Sequence, residues 1–289
     1  MKLKKYLPLA FLFLLVLFCF AACGEKVDGM NYKAVEGGYA ITGYTDKTSV
    51  TEITVPDEIE GLPVIRIDDF GICNAESLKK ITIGKNVKEL GGWALTNNQH
   101  LTEFVVDPEN RYFTAVDGVL FTKDMTVLVA YPSGRGISFD QYGRAENAVE
   151  YAIPEGVQII DTKAFYKCGH VNITSFPSTL THICEKAFFK CYYREEFTKD
   201  HIVESGLTDF TLPEGVVAIE KDAFAYDELL TEVTLPSTLK EVGDFAFFNC
   251  KQMKRLTVNA KESDLTLGEK WQPTAKGKII EDCEVVFAK

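Results

Sequence analysis

The stretch LPSTLKEVGDFAFFNC, residues 235–250, decides how the chain is read. Its first four residues match the start of an LPxTG-type sorting motif, yet Leu239 stands where that motif needs glycine, and neither an apolar tail nor a basic end follows. Its last six residues mix aromatics with a cysteine, as an active site can. Counting removes both readings. LPEGVVAIEKDAFAYD begins 23 residues earlier at Leu212, FPSTLTHICEKAFFKC begins at Phe176, and IPEGVQIIDTKAFYKC begins at Ile153. Their prolines, Pro154, Pro177, Pro213 and Pro236, lie 23, 36 and 23 residues apart. An Ala-Phe pair follows each at one offset: Ala164-Phe165, Ala187-Phe188, Ala223-Phe224 and Ala246-Phe247. The stretch is one unit of an internal repeat.

A period in this range is that of leucine-rich repeats. Each unit opens with a strand pattern, such as Thr231-Glu232-Val233-Thr234-Leu235, whose alternation turns Val233 and Leu235 inward and Glu232 and Thr234 outward. Pro236 ends that strand because it lacks an N–H and fixes φ. Leu239 and Val242 follow, matched by Val216/Ile219, Leu180/Ile183 and Val157/Ile160. The Ala-Phe-x-x-Cys segment is spaced for a short helical turn. One unit cannot bury these residues alone, but stacked units can. The expected fold is therefore a β-rich repeat solenoid with short helical turns, a right-handed stack of units about 23 residues long.

Earlier copies are more worn. ITIGKNVKELGGWALTNN carries Gly84 for the proline and Ala94-Leu95 for Ala-Phe, and ITVPDEIEGLPVIRIDDFGICN has Pro56 and an insertion before Ile67. Tyr32 to Tyr44 reads as a capping hairpin turning at Glu36-Gly37-Gly38, and CEVVFAK as a C-terminal capping strand. The solenoid is expected over 32–289, with an inserted hairpin module at 110–134 turning near Lys123-Asp124 and a loop insertion at 192–206.

The first 22 residues are set apart from the fold. Lys2, Lys4 and Lys5 precede an apolar run from Leu7 to Phe20, too short and too interrupted by Pro8 for a comfortable membrane span. The run ends in Ala21-Ala22-Cys23, which resembles a lipoprotein lipobox, although Phe20 departs from the usual leucine. The resemblance implies a signal peptide over 1–22, lipidation at Cys23, a tether over 23–31 and anchorage on the outer face of the bacterial cell membrane; simple secretion is the alternative. Removing 1–22 takes the net charge from −11 to −14, which repels phosphate backbones and anionic membrane surfaces. Nucleic acid is not an expected partner, and contact with membrane is expected only through the lipid.

Taken together, the units resemble BspA-type leucine-rich repeats, bacterial surface repeats with the pattern L-T-x-[IV]-x-[IL]-P-x-x-[VL]-x-x-I-x-x-x-A-F-x-x-C. The segment NRYFTAVDGVLFTKDMTVLVAYPSG, residues 110–134, also resembles a module that recurs in that family. The resemblance implies adhesion or binding to a protein or glycan of host or matrix, with no cofactor and no catalytic residues carried over. A scaffold or partner subunit of a bacterial envelope assembly is the alternative.

The cysteines carry little chemistry by position. Cys168, Cys191 and Cys250 share the last repeat position, where Asp227 replaces cysteine in the unit between. Coils stacked about 4.8 Å apart hold such side chains parallel, whereas a disulfide needs Cβ atoms about 3.8 Å apart. Core thiols are the expected state. The sharpest enzymatic reading pairs Cys168 with His170, or Cys184 with His182, but thiolates are disfavoured near a core. The same residues occupy different repeat phases and are not expected to hold a metal.

Surfaces remain. An outward column of Thr54, Thr82, Ser175, Thr211 and Thr234 is broken by Ala152 and reads as strand-stabilising. The next column, Glu52, Lys80, Glu150, Ile173, Asp209 and Glu232, varies from unit to unit, so Glu150, Asp209 and Glu232 are candidate binding residues. The 192–206 insertion supplies Tyr192, Tyr193, Arg194, Phe197 and His201, residue types favoured at interfaces.

Overall fold

The computed structural model describes residues 25–27, 29–141, 145–198 and 201–289. The segment 1–22 expected to be a signal peptide, and Cys23, lie outside them. Within the described residues the chain winds into a stack of coils with three faces. The first face carries the longer strands, joined in parallel: Glu52–Thr54, Lys80–Ile83 and Glu103–Val106 form one ladder, and Phe210–Thr211, Glu232–Leu235, Arg255–Val258 and Glu284–Phe287 form another. The second face is built of two-residue strands, running in parallel through Ile159–Ile160, His182–Ile183, Ala218–Ile219, Glu241–Val242 and Thr266–Leu267. The alternation in each unit does what the sequence requires: Val233 and Leu235 are buried, while Glu232 is exposed.

The third face corrects the expected helical turns. Among the described residues the only helix is a 3-10 turn at Glu262–Asp264, outside the repeat consensus. The Ala-Phe-x-x-Cys segment is instead a run of turns with left-handed residues four apart, Lys163 and Lys167, Lys186 and Lys190, Asp222 and Tyr226, at φ between 56° and 65°. This backbone points every second N–H at the next coil, while the N–H groups between, such as those of Ala164 and Tyr166, bond within their own turn. Lys163, Phe165 and Lys167 donate to Glu185, Ala187 and Phe189, and Lys186, Phe188 and Lys190 repeat the pattern on Lys221, Ala223 and Ala225. Those donors tie coil to coil.

Inside, the Phe of each unit stacks on the next. Phe165–Phe188, Phe188–Phe224 and Phe224–Phe247 have centroids 4.9, 5.3 and 5.3 Å apart and planes within 11°. All four rings are inaccessible to solvent. Each such pair adds about 0.5–1.5 kcal/mol beyond area burial.

Four boundaries differ from expectation. Glu25–Val27 pairs antiparallel with Met30–Val35, and Met30 is buried, so the tether expected over 23–31 is shortened by a strand. The 110–134 module is a three-stranded meander, Phe113–Val116, Val119–Thr122 and Val127–Ala130, with a turn at Asp117-Gly118 besides the one after Lys123. Its middle strand lies between two cores: Val119 and Phe121 face one, Leu120 the other. The loop expected at 192–206 is an antiparallel ribbon of Tyr192–Thr198 and His201–Gly206. Finally, Ile173 is not aligned with Glu150. A bulge sets Glu150 against Asn172 and Tyr151 against Ile173, because both Tyr151 and Ile173 pack on the core.

Candidate functional site

On the long-strand face the parallel ladder is interrupted after Glu103–Val106, where the meander module enters, and again behind the ribbon. Val171–Ser175 pairs with Val149–Ala152 on one side, and Phe210–Thr211 pairs with Glu232–Leu235 on the other, but no ladder joins 171–175 to 210–211 among the described residues. The ribbon root causes the break. Gly206 N donates to Asn172 Oδ1 at 3.1 Å, Ser205 Oγ donates to the Gly169 carbonyl at 3.0 Å, and Leu207 N donates to the Cys191 carbonyl at 2.8 Å. These bonds hold the entering and leaving strands against the preceding coil. Gly206 is required there: a Cβ would lie 2.2 Å from the Cys191 carbonyl oxygen, at a φ of 134°.

The break is an opening of about 370 Å³ bounded by Thr174, Ser175, Phe176, Asp209, Thr211 and Glu232. The rings of Phe176 and Phe210 meet across it at 5.3 Å. Backbone groups matter more than side chains here. Leu212 N donates to the Thr234 carbonyl at 2.9 Å, so alternation along the strand turns the N–H and C=O of Thr211 the other way, towards the break. Thr174, Ser175 and Thr211 are exposed along its edges.

The sequence candidates divide. Asp209 and Glu232 bound the opening; Glu150 is exposed, on the strand beyond Val171–Ser175. Asp209 is already committed: its Oδ1 accepts from Thr231 N (3.0 Å), Thr231 Oγ1 (2.8 Å) and Glu232 N (2.8 Å). Burial pushes its carboxyl up, but these bonds prevail and hold it below the ordinary carboxylate range. Asp209 thus joins two coils, and Glu232 is the freer charge.

On the ribbon, Tyr192 and Tyr193 help line a second opening of about 260 Å³ with His100, Lys167, His170 and Lys190. The Tyr193 ring lies 4.2 Å from that of His170, whose Nδ1 is 3.3 Å from Ser205 Oγ. Burial lowers the His170 pKa to about 4, leaving a neutral imidazole. Arg194 forms an ion pair with Glu204 across the ribbon. Phe197 and His201 sit on its two strands, but their side chains lie outside the described residues.

The Cys/His pairs are poorly suited to nucleophilic work. Burial raises the thiol of Cys168 to about 12, and burial together with the nearby Glu220 and Asp161 raises that of Cys184 to about 12. Both shifts run against thiolate formation. His182 Nδ1 lies against the Thr181 hydroxyl at 2.9 Å.

Sequence reasoning passed over a cross-coil clasp that was visible in it. Units alternate Pro-Glu-Gly with Pro-Ser-Thr at one position. Glu155 accepts the N–H and hydroxyl of Ser178, and Glu214 those of Ser237; Gly156 and Gly215 N–H donate to Thr179 and Thr238 Oγ1. The alternation itself was the signal.

Coil stack, phenylalanine ladder and turn face define a leucine-rich-repeat solenoid. The family of BspA type leucine rich repeat regions matches over residues 43–121, 137–205 and 197–267, in six copies. The chain belongs to this family. Among solved structures, the pneumococcal vaccine antigen PcpA is 18% identical, with a TM-score of 0.49 over 83% of this chain and 68% of that one. A leucine-rich repeat protein from Eubacterium ventriosum is 13% identical, with a TM-score of 0.44 over 84% of this chain and 83% of that one. A leucine rich cell surface protein from Faecalibacterium prausnitzii is 17% identical, with a TM-score of 0.36 over 84% and 96%. No curated protein matches this chain in sequence.

Proposed function

We propose that the chain is a non-enzymatic binding protein of the bacterial cell surface, held by a lipid on Cys23, that captures an extended segment of a host or matrix protein. One observation carries the reading: the ladder break presents the Thr211 N–H and C=O beside an opening about 370 Å³ in volume. An exposed strand edge between two sheets is a template for strand addition, in which main-chain bonds supply affinity and flanking side chains supply selectivity. A peptide has the donors and acceptors to match such an edge at every second residue, which favours a protein over a glycan.

The test uses the full chain in detergent to capture proteins from host-surface and matrix extracts and, separately, from the producing cell's envelope. Thr211→Pro removes the N–H that faces the break and leaves the Leu212-to-Thr234 bond in place. Capture from host or matrix extracts that fails with this variant supports the reading. Capture that survives it places binding elsewhere, and capture from the envelope alone points to an assembly subunit.

A further inference from the structure

A second irregularity lies on the turn face, where the meander module replaces a regular coil. Leu128 is in register with Ile160, and Tyr131 N donates to the Ala164 carbonyl as Phe165 N does to Ala187. The Tyr131 ring stacks on Phe165 at 5.1 Å, so Tyr131 holds the ladder position of a repeat phenylalanine. Four residues, Asp161 to Ala164, separate Ile160 from Phe165, but only Val129 and Ala130 separate Leu128 from Tyr131. The module lacks the two residues that make the corner of a normal coil.

The missing corner leaves a notch of about 270 Å³ between the coils on either side. Its inner wall is apolar, from Leu90, Leu95, Leu101, Val129 and Ala130; its rim carries Thr96, Asn97, Thr162 and Lys163. The preceding coil reaches it with unspent donors. Ile72 and Asn74 N–H bond to Ala94 and Thr96 of the next coil, but the equivalent Leu95 and Asn97 N–H groups have no acceptor among the described residues. The following coil reaches back with two cations. Lys167 Nζ donates to Asn97 Oδ1 at 3.1 Å, and Lys163 Nζ lies 4.1 Å from the centre of the Trp93 ring. Lys163 is only 8% exposed and has no carboxylate at ion-pairing distance among the described residues. Asp161, also on the rim, has its Oδ1 occupied by Thr162 N at 2.7 Å. Glu185 and Asp222 are both drawn to Lys186.

An apolar recess with a buried ammonium and two free N–H groups at its mouth is complementary to one kind of ligand. We propose that the notch binds a small organic carboxylate, its charged group at Lys163 and the Leu95 and Asn97 amides, its hydrocarbon stem against Leu90, Leu101 and Val129. The volume suits a metabolite-sized molecule. This site is independent of the strand-face break and stands or falls apart from it.

The test is saturation-transfer NMR on the full chain in detergent with 4-methylpentanoate and phenylacetate, each against its primary amide. Saturable binding of the acids, with the amides weaker by about tenfold or more, is the expected result. Lys163→Met removes the charge at nearly constant length and is expected to weaken the acids by a similar factor. Ala130→Leu, which fills the recess and leaves the lysine, is expected to abolish binding of acids and amides alike. Absence of saturable binding by either acid, equal binding of acids and amides, or unchanged affinity in Lys163→Met would each overturn the proposal.

Discussion

Asp227 takes the backbone N–H of Cys191 on its Oδ1 at 2.6 Å, from a side chain wholly inside the core. The other three units carry cysteine at this position, and there the thiol has a defined job: Cys191 Sγ donates to the Phe165 carbonyl and Cys250 Sγ to the Phe224 carbonyl. Asp227 Oδ2 has no partner among the described residues. Burial pushes its carboxyl far above the ordinary range, and the Cys191 N–H only partly offsets this. The folded pKa thus lies above the unfolded one. The contribution of Asp227 to stability is complete below about pH 4, where both states are protonated, and is lost as pH rises through the folded value. Asp227→Cys should therefore raise stability near pH 7 by about 1–3 kcal/mol, with little gain at pH 4. Urea denaturation at the two pH values reads it, and an equal effect at both would mean that Asp227 is not held neutral.

Phe224 sits in the ladder between Phe188 and Phe247, each at 5.3 Å, with Phe210 tilted against it at 5.0 Å. Truncation to alanine should cost about 3–5 kcal/mol. Tyr226, half-buried on the turn face against Phe189 and Phe248, makes a control for ring loss without a core cavity. Chemical denaturation should separate the two variants clearly; similar losses would place the ladder elsewhere.

Thiol chemistry offers a second probe of the same core. Cys168, Cys191 and Cys250 are buried, and their thiols are raised by that burial, to about 12 for Cys168. Iodoacetamide near neutral pH should leave these three unmodified in the native protein and label them once urea unfolds it. Peptide mass spectrometry resolves each site. Rapid native labelling of any of the three would contradict the packing.

The repeat was legible because its period is physical. Proline, Ala-Phe and cysteine recur where a strand must stop, a ring must stack and a small group must fit. The inward and outward residues followed from alternation alone. Irregularities were harder. Spacing could not distinguish a helical turn from a run of turns with left-handed residues, since both bring Phe165 and Cys168 to one side. Neither could it show that Ile173 slips by one bulge: that depends on Tyr151 and Ile173 competing for the core with Glu150 and Asn172. The candidate opening was invisible for a related reason. Asp209 was readable as a variable outward residue, but the break beside it arises from bonds between the ribbon root and Gly169, Asn172 and Cys191, which no local pattern encodes.

The ribbon and the ladder break can be separated as recognition elements by cutting the ribbon above its root. Its strands pair with each other from Tyr192↔Gly206 outward, whereas the root is built into the stack through Tyr193 on His170 and Ser205 on Gly169. Removing 193–205 would strip those root contacts, Ser205 being buried. Replacing 194–204 with a short Gly/Ser linker spares them. Stability should then change by about 1 kcal/mol or less, since closing a shorter loop costs little and the lost ribbon bonds are mutual. Because the root still holds the strands apart, the break should persist, and partner capture through the Thr211 edge should survive the cut. Glu232→Lys in the same assay tests the rim charge without disturbing the three bonds to Asp209 Oδ1, one of which comes from the Glu232 backbone. Capture lost on ribbon truncation but retained in Thr211→Pro would move recognition from the strand edge to Arg194, Phe197 and His201.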